Sequence, residues 1–246
     1  MKGRYASEAV VLWHDIECGG YGEDLPLWRE LAAAAGPGAT ILDVGAGTGR
    51  VTLHLARRGF LVVALDADAR LLAALAQRAD GLDVRTVAAD ARDFDLGERF
   101  ALIIVPMQTV QLLDGRAGRE AFLRCAQRHL QPGGRLVLAL ADALECFDEE
   151  HDQPPPPDVA DIDGVLYFSR PVAVRDEGER VALERIRETV DRQGRRAAEG
   201  DVIRLDRVDA AMLEEEARAV GLLVLPRRCV PQTEEYVGSE VVVLGA

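Results

Sequence analysis

The sequence predicts a doubly wound α/β protein with a mostly parallel sheet, followed by an added antiparallel β meander. Strand-like and helix-like segments alternate up to about Ala143. The strand-like segments, such as "FLVVALD" and "FALIIVP", are continuous apolar runs, which is typical of parallel strands covered on both faces. After Ala143 the alternation stops, and three extended segments follow one another without an intervening helix.

The elements of the first half follow in a regular order. A helix is expected from Asp24, which can cap it, with Pro26 in its first turn and Gly36 at its end. "TILDVGAGTGR" predicts a strand that meets a glycine loop. The segments after it are helix "VTLHLARRG", strand "FLVVALD", helix "ARLLAALAQRA", strands "DVRTVAAD" and "FALIIVP", helix "GREAFLRCAQRHL", turn "QPGG" and strand "RLVLALAD".

The second half divides into a loop, a meander and a return to the core sheet. Residues 144–164 contain four consecutive prolines and are expected to form a loop. Residues 165–207 are expected to form the antiparallel β insertion, and residues 208–246 a helix and the last two strands of the core sheet. The insertion lies between the fifth strand and the last helix. At the N-terminal side, residues 1–36 are expected to form a lid and the first helix, and residues 37–143 the ligand-binding core.

Composition excludes several functional classes. The net charge is −13, and arginines mostly stand beside acids, as in "RDEGERVALERIRETVDRQGRR", which predicts solvated, salt-bridged faces and no nucleic-acid partner. No apolar run reaches the length of about 18 residues needed to span a bilayer. We therefore expect a cytoplasmic protein without membrane contact. The four cysteines form no CxxC pair, so no metal site is expected.

Three features after consecutive strands favour an adenosine-containing ligand. Gly45 and Gly47 lie between a strand and a helix, where missing side chains let the backbone approach a ligand. Asp66 ends the next strand, where a carboxylate can accept hydrogen bonds from both ribose hydroxyls. Asp90 follows the third strand and can accept from an exocyclic adenine amine. Each acid alone is more often a strand-end cap, but the joint placement predicts one site.

At these residues the sequence resembles the class I S-adenosylmethionine-dependent methyltransferases, small-molecule type. "ILDVGAGTGR" is similar to their first motif, "LVVALDAD" to their ribose-binding segment, and "VAADARDFDL" to their adenine-binding segment. "FALIIVPMQTVQLL" and "LQPGGRLVLAL" resemble the segments that follow. The resemblance implies a Rossmann-like, seven-stranded sheet in which only the last strand is antiparallel.

The resemblance also implies a cofactor site for S-adenosylmethionine, with S-adenosylhomocysteine as product. The glycine loop and its acid would hold the methionine part, the acids after the next two strands the ribose and adenine, and the segment after the fourth strand the methyl-transfer face. An aromatic hydroxyl of the lid would reach the cofactor carboxylate, although this tyrosine could equally only pack against the next helix. The implied cofactor-binding residues are Tyr21, Asp43, Gly45, Ala46, Gly47, Asp66, Ala67, Asp90, Ala91, Val105, Pro106, Met107 and Gln111.

The predicted function is methyl transfer to a small-molecule acceptor by in-line displacement, mainly through orientation of the substrate. A base is optional, and His14 in the lid is the candidate, with Asp142 and Glu145 as further possibilities. Gln108 or Gln111 could orient a substrate or only cap the next helix. The alternatives are a nicotinamide-dependent oxidoreductase and a non-catalytic adenosyl-ligand-binding module. The β insertion is expected to cover the substrate pocket or to form a homodimer surface.

Overall fold

A computed structural model describes residues 2–141, 145–150, 152, 154–233 and 236–246. It contains six α-helices within these residues and a short 3-10 helix after the fourth strand, Thr109–Leu112. The helices are α1 (Lys2–Cys18), α2 (Leu25–Ala34), α3 (Arg50–Ala56), α4 (Ala69–Arg78), α5 (Gly115–His129) and α6 (Ala210–Ala219). The strands are β1 (Thr40–Val44), β2 (Leu61–Asp66), β3 (Val84–Ala88), β4 (Phe100–Val105), β5 (Leu130–Ala141), β6 (Phe147–Asp148), β7 (Asp158–Ile162), β8 (Val165–Asp176), β9 (Arg180–Val190), β10 (Arg196–Asp206), β11 (Leu223–Val230) and β12 (Ser239–Gly245).

The core is a seven-stranded sheet in the order β11-β12-β5-β4-β1-β2-β3. Strands β1 to β5 pair in parallel, and β12 runs antiparallel to both of its neighbours. The predicted Rossmann-like fold with one antiparallel strand is thereby confirmed. Apolar side chains from both faces of the sheet are buried in separate clusters beneath the helices, which explains the continuous apolar runs. The carboxyl ends of β1 to β4 meet at one edge.

The insertion forms a second sheet of five antiparallel strands. Its order is β10-β9-β8-β6. The short strand β7 also pairs with β8, on the edge that β6 occupies further along. The prediction of a loop throughout residues 144–164 is wrong, because β6 and β7 lie in that range. The four prolines end before Asp158. The five residues that follow, which form β7, make backbone hydrogen bonds to an otherwise unpaired edge of β8.

A buried ion cluster connects the second sheet to the core. The Arg119 guanidinium of α5 donates to Asp206 at the end of β10 (3.0 Å) and to both carboxylate oxygens of Glu216 on α6 (2.9 and 2.7 Å). The same Asp206 carboxylate accepts from the backbone N–H of Gly115 (2.6 Å). Because all three charged side chains are buried, their mutual pairing compensates part of the cost of removing these charges from water.

The N-terminal region is more helical than the sequence prediction. A lid and a single helix were expected in residues 1–36, but α1 and α2 both lie there. Asp24 stands at the start of α2 without capping it, which corrects the predicted role. Its buried carboxylate instead accepts from the Trp28 indole N–H (2.7 Å) and from two Arg50 nitrogens (2.5 and 2.8 Å). A paired, buried carboxylate ties α2 to the start of α3, and this tertiary contact replaces the local cap.

No helix within the described residues has the length and apolar character needed to cross a membrane.

Candidate active site

The glycine loop connects β1 to α3 at the edge where the parallel strands end. Backbone N–H groups of Gly45 and Ala46 donate to the carbonyl of Leu65 in β2 (2.8 and 3.1 Å), which fixes the loop against the neighbouring strand. Gly45 and Gly47 have φ of 75° and 54°, in the left-handed region. A Cβ at Gly47 would overlap the His14 ring of α1, so the glycine permits the lid helix to pack directly on the loop.

Asp43, the acid of the loop motif, is fully buried and only half paired. Its Oδ2 accepts from the Thr52 hydroxyl (2.6 Å), and its buried Oδ1 has no hydrogen-bond partner among the described residues. Burial raises the pKa of this carboxyl from 3.8 to about 6. Asp43 lines the cavity described below. An unpaired buried carboxylate oxygen beside a cavity is suited to accept a hydrogen bond from a cationic ligand group.

Asp66 and Asp90 project from the ends of β2 and β3. Asp66 accepts from the backbone N–H of Gly47 (2.8 Å) through one oxygen and from that of Asp68 (2.8 Å) through the other. Asp90 accepts from the backbone N–H and the guanidinium of Arg92, whose side chain lowers the pKa of the Asp90 carboxyl. Both acids line one cavity, on the same side of the sheet edge.

This cavity has a volume of about 600 Å³ and lies between the core sheet and the antiparallel sheet. Its floor is the edge where β1 to β4 end. Its cover comes from α1 and from the alternate residues of β9 and β10 that face inward. The lining side chains beyond the predicted set include Val10, Trp13, Glu17, Cys18, Arg50, Leu112, Leu183, Arg185, Arg187, Ile203 and Leu205.

Most of the predicted site residues meet at this cavity. The predicted residues that line it are His14, Asp43, Gly45, Ala46, Asp66, Ala67, Asp90, Ala91, Pro106 and Met107. Gln108, the alternative orienting residue, also lines it. Met107 has φ of 56°, an uncommon conformation for a residue with a side chain.

Four predicted residues lie outside the lining. Gly47 does not line the cavity, but its backbone N–H donates a hydrogen bond to Asp66, which does. Val105 is fully buried in the core. The Tyr21 ring packs on Tyr236, with centroids 5.1 Å apart, and beneath the Arg50 guanidinium.

Gln111 is the fourth of these residues, and its amide is occupied by backbone groups. Its Oε1 accepts from the N–H of Ala141 (3.0 Å), and its Nε2 donates to the carbonyl of Asp206 (3.4 Å). The side chain thus joins the end of β5 to the end of β10, and it lines a separate cavity.

His14 lies above the glycine loop. Its Nδ1 is 3.2 Å from the Thr48 hydroxyl, and its ring contacts Gly47. Burial is the largest influence on its pKa and lowers it from 6.5, against the opposing charges of Asp15 and Asp66. The imidazole is therefore neutral at pH 7, which is the protonation state a base requires. Of the other candidate bases, Glu145 is exposed and Asp142 lies outside the described residues.

Sequence reasoning missed a polar cluster where α1 meets β9. Glu17 accepts from Ser169 (2.8 Å) and from two nitrogens of Arg187 (2.7 and 2.8 Å), and it lies 3.1 Å from a nitrogen of Arg185. The predicted solvated arginine face is wrong here, because the side chains of Arg185 and Arg187 are only 11% and 19% exposed. A sheet packed over the cavity encloses them. Helical spacing of Val10, Trp13, His14 and Glu17 could have revealed the inward face of α1.

The fold and this edge define a class of protein: a doubly wound α/β protein that binds a ligand at the carboxyl ends of its first strands. Residues 41–134 match the family model described as a methyltransferase domain, so this part of the chain is similar to that family. This match agrees with the predicted class of S-adenosylmethionine-dependent methyltransferase.

Two curated relatives agree with this domain. The cypemycin N-terminal methyltransferase of a Streptomyces species is 36% identical over 108 residues, 44% of each chain. A demethylmenaquinone methyltransferase of a Mycobacterium species is 36% identical over 115 residues, 45% of this chain and 46% of that one. The chain thus spans less than half the length of these relatives.

Similar solved structures extend over nearly the whole chain. The sugar N-methyltransferase KedS8 of a Streptoalloteichus species has a TM-score of 0.73 at 21% identity, covering 96% of this chain and 92% of that one. The amino pentose methyltransferase CalS10 of Micromonospora echinaspora, solved with S-adenosylmethionine bound, has a TM-score of 0.68 at 24% identity, covering 98% and 95%. At these identities the likeness establishes the fold alone.

The described residues contain no group of three or more His, Cys, Asp or Glu side chains arranged to hold a metal ion.

Proposed function

We propose that the protein transfers the methyl group of S-adenosylmethionine to a small-molecule acceptor. One observation carries the proposal. A single cavity joins the glycine loop, the acids that end β2 and β3, and a mixed apolar and polar wall supplied by the second sheet. The first part is suited to an adenosyl ligand, and the second leaves room for a second molecule beside it. Two ligands in one enclosed space are what a transfer reaction requires.

The residues present fit the cofactor. The unpaired Oδ1 of Asp43 can accept from the methionine ammonium, while the loop backbone lies beside it. Asp66 can exchange its backbone contacts for ribose hydroxyls, and Asp90 with the backbone of Ala91 can read the adenine. Tyr21 and Gln111 are not assigned a contact with the cofactor, because neither side chain lines the cavity. When bound, the sulfonium supplies an activated methyl group.

The chain's own contribution is orientation and exclusion of water. Met107 and Pro106 form the wall where β4 ends, and Leu183, Ile203 and Leu205 face the cavity from the second sheet. An apolar enclosure around the acceptor favours displacement over reaction with water. Neutral His14 is a candidate proton acceptor, although its contacts with Thr48 and Gly47 place it on the glycine-loop side.

A nitrogen acceptor on a small molecule is the acceptor class that we favour. The first curated relative is named as an N-terminal methyltransferase, and KedS8 as a sugar N-methyltransferase. Two ribosomal RNA methyltransferases also match, at 45% and 42% identity, but only 26% and 33% of this chain takes part. The net charge of −13 argues against a nucleic-acid acceptor.

Calorimetry separates the competing classes. We expect S-adenosylhomocysteine to bind in a 1:1 ratio and NADH to give no heat of binding. Preferential binding of NADH would instead support the oxidoreductase alternative. A protein that binds S-adenosylhomocysteine but transfers no labelled methyl group to any member of an amine library would support the non-catalytic module.

A cytoplasmic location and a homodimer remain parts of this proposal. Light scattering at two protein concentrations tests the dimer, with a mass near 53 kDa, twice the 26.7 kDa of the chain, as the expected result.

A further inference from the structure

We call the part of the cavity lined by the second sheet and by the facing side of α1 the acceptor half; its residues are Trp13, Glu17, Leu183, Arg185, Arg187, Ile203 and Leu205. It contains one arginine whose charge is poorly satisfied. Arg187 donates two hydrogen bonds to Glu17, and a third nitrogen lies 3.1 Å from Asp201. Glu17 receives a further hydrogen bond from Ser169. Arg185 has only a 3.1 Å ion pair with the same glutamate, and its buried Nε has no hydrogen-bond partner in the part of the chain that the structure describes.

The sheet register explains why Arg187 has more acidic partners than Arg185. Arg185 and Arg187 are alternate residues of β9, so both side chains point toward the cavity. Asp201 is the cross-strand neighbour of Arg185 in β10, yet its carboxylate pairs with Arg187. Glu17 is likewise engaged mainly with Arg187. Arg185 therefore only shares Glu17 with Arg187, and its buried Nε is left without an acceptor among the described residues. A buried guanidinium nitrogen without an acceptor costs free energy until a partner is supplied.

The lining charges favour an anion as that partner. Among the residues that line this half, two arginines face one glutamate, a balance of +1. Asp158 and Asp201 lie close to the arginines but do not line the cavity. Apolar side chains continue from Arg185 along the same faces of β9 and β10, through Leu183 and Ile203 toward Leu205. The wall is therefore amphipathic, with its cationic end beside α1.

We propose that Arg185 recognises an anionic group, a carboxylate or phosphate, on the methyl acceptor. The acceptor is then a small molecule with an apolar or uncharged body and an acidic group, oriented by Arg185 so that its nucleophile faces the segment of Met107. The proposal rests on the proposed function, because it takes the cofactor to occupy the part of the cavity at Asp43 and Asp66. It adds a specificity-determining residue and a substrate class.

Matched ligand pairs test the proposal on the full-length protein saturated with S-adenosylhomocysteine. The probes are phenylalanine against phenylalaninamide for a carboxylate, and glucosamine 6-phosphate against glucosamine for a phosphate. We expect the wild type to bind the anionic member of at least one pair about tenfold more tightly by calorimetry, and the pair that responds identifies the anion. Equal binding within both pairs would overturn the proposal, whatever the variants do.

Two variants locate the recognition. Arg185→Gln should abolish the preference for the anion, while Arg185→Lys should restore part of it, because it keeps the charge without the planar donor set. The matched control is Arg204→Gln on the neighbouring strand, an exposed arginine paired with Glu177 outside the cavity. A loss of preference in the control as large as in Arg185→Gln would show a general charge effect and refute the assignment.

The design separates this inference from the proposed function. S-adenosylhomocysteine affinity is measured for every variant and should stay unchanged, because Arg185 is assigned to the acceptor half. A wild type that fails to bind S-adenosylhomocysteine contradicts the proposed function. A wild type that binds it normally but shows no preference for anions contradicts only the role of Arg185.

Discussion

Replacement of Asp66 by alanine tests the cofactor site most sharply. Its carboxylate accepts backbone hydrogen bonds from Gly47 and Asp68, each at 2.8 Å, and it lines the cavity. Hydrogen bonds to a charged group contribute about 1.5–3 kcal/mol each. Because ribose hydroxyls would replace contacts that the free protein already makes, only part of that value appears in binding. We expect Asp66→Ala to weaken S-adenosylhomocysteine binding by about 1–3 kcal/mol, roughly 5- to 150-fold.

A matched control separates binding from folding. Asp68 is two residues away and caps α4 through the N–H of Arg70 (2.8 Å), but it does not line the cavity. Asp68→Ala should lower the free energy of unfolding by about 1 kcal/mol through the lost cap and leave binding unchanged. Calorimetry gives the affinities and urea unfolding gives the stabilities. Wild-type affinity in a folded Asp66→Ala protein would refute the ribose assignment, as would an equal loss in the control.

Three further outcomes follow from the same structure. Asp90→Ala should also weaken S-adenosylhomocysteine binding by about 1–3 kcal/mol, measured by calorimetry; unchanged affinity would remove the adenine assignment. The pKa of Asp43 is raised to about 6 in the folded protein, so its folded state holds a proton more tightly than the unfolded chain, and the free energy of unfolding should fall as pH rises from about 4 to about 6. In urea unfolding, the free energy of unfolding of Asp43→Asn should therefore rise by about 2 kcal/mol relative to that of the wild type over this range, and a constant difference would contradict the burial argument. Arg119→Met should destabilise the protein by about 3–5 kcal/mol, because it leaves the buried Glu216 carboxylate without its cation and removes one of the partners of Asp206, whereas the exposed control Arg116→Ala should cost less than about 1 kcal/mol.

The parallel core could be predicted from the sequence because its signals are local. Each strand is a continuous apolar run, and the glycine loop and the acids at positions 66 and 90 come directly after their strands. Parallel strands deliver such residues to one edge, so spacing along the chain translates into proximity in space. The positions of Asp43, Asp66 and Asp90 around one cavity agree with that reasoning.

The cover of the site could not be predicted in the same way, because it depends on long-range contacts. Arg185 and Arg187 lie among acids in the sequence, which is also the pattern of a solvated strand. They are enclosed only because α1 packs against the second sheet. The contact is made by Glu17, which lies 170 residues from Arg187 along the chain. The local sequence likewise predicts Asp24 as a helix cap. In the structure its carboxylate instead accepts hydrogen bonds from Arg50 and Trp28.

The crystal structure of the protein grown with S-adenosylhomocysteine tests the central claim most directly. We predict density for the nucleoside between the carboxylates at the ends of β2 and β3, with the amino group of the ligand at the unpaired oxygen of Asp43. A ligand bound elsewhere on the chain, or a cavity that stays without density at a saturating concentration, would contradict the assignment of this edge as the cofactor site.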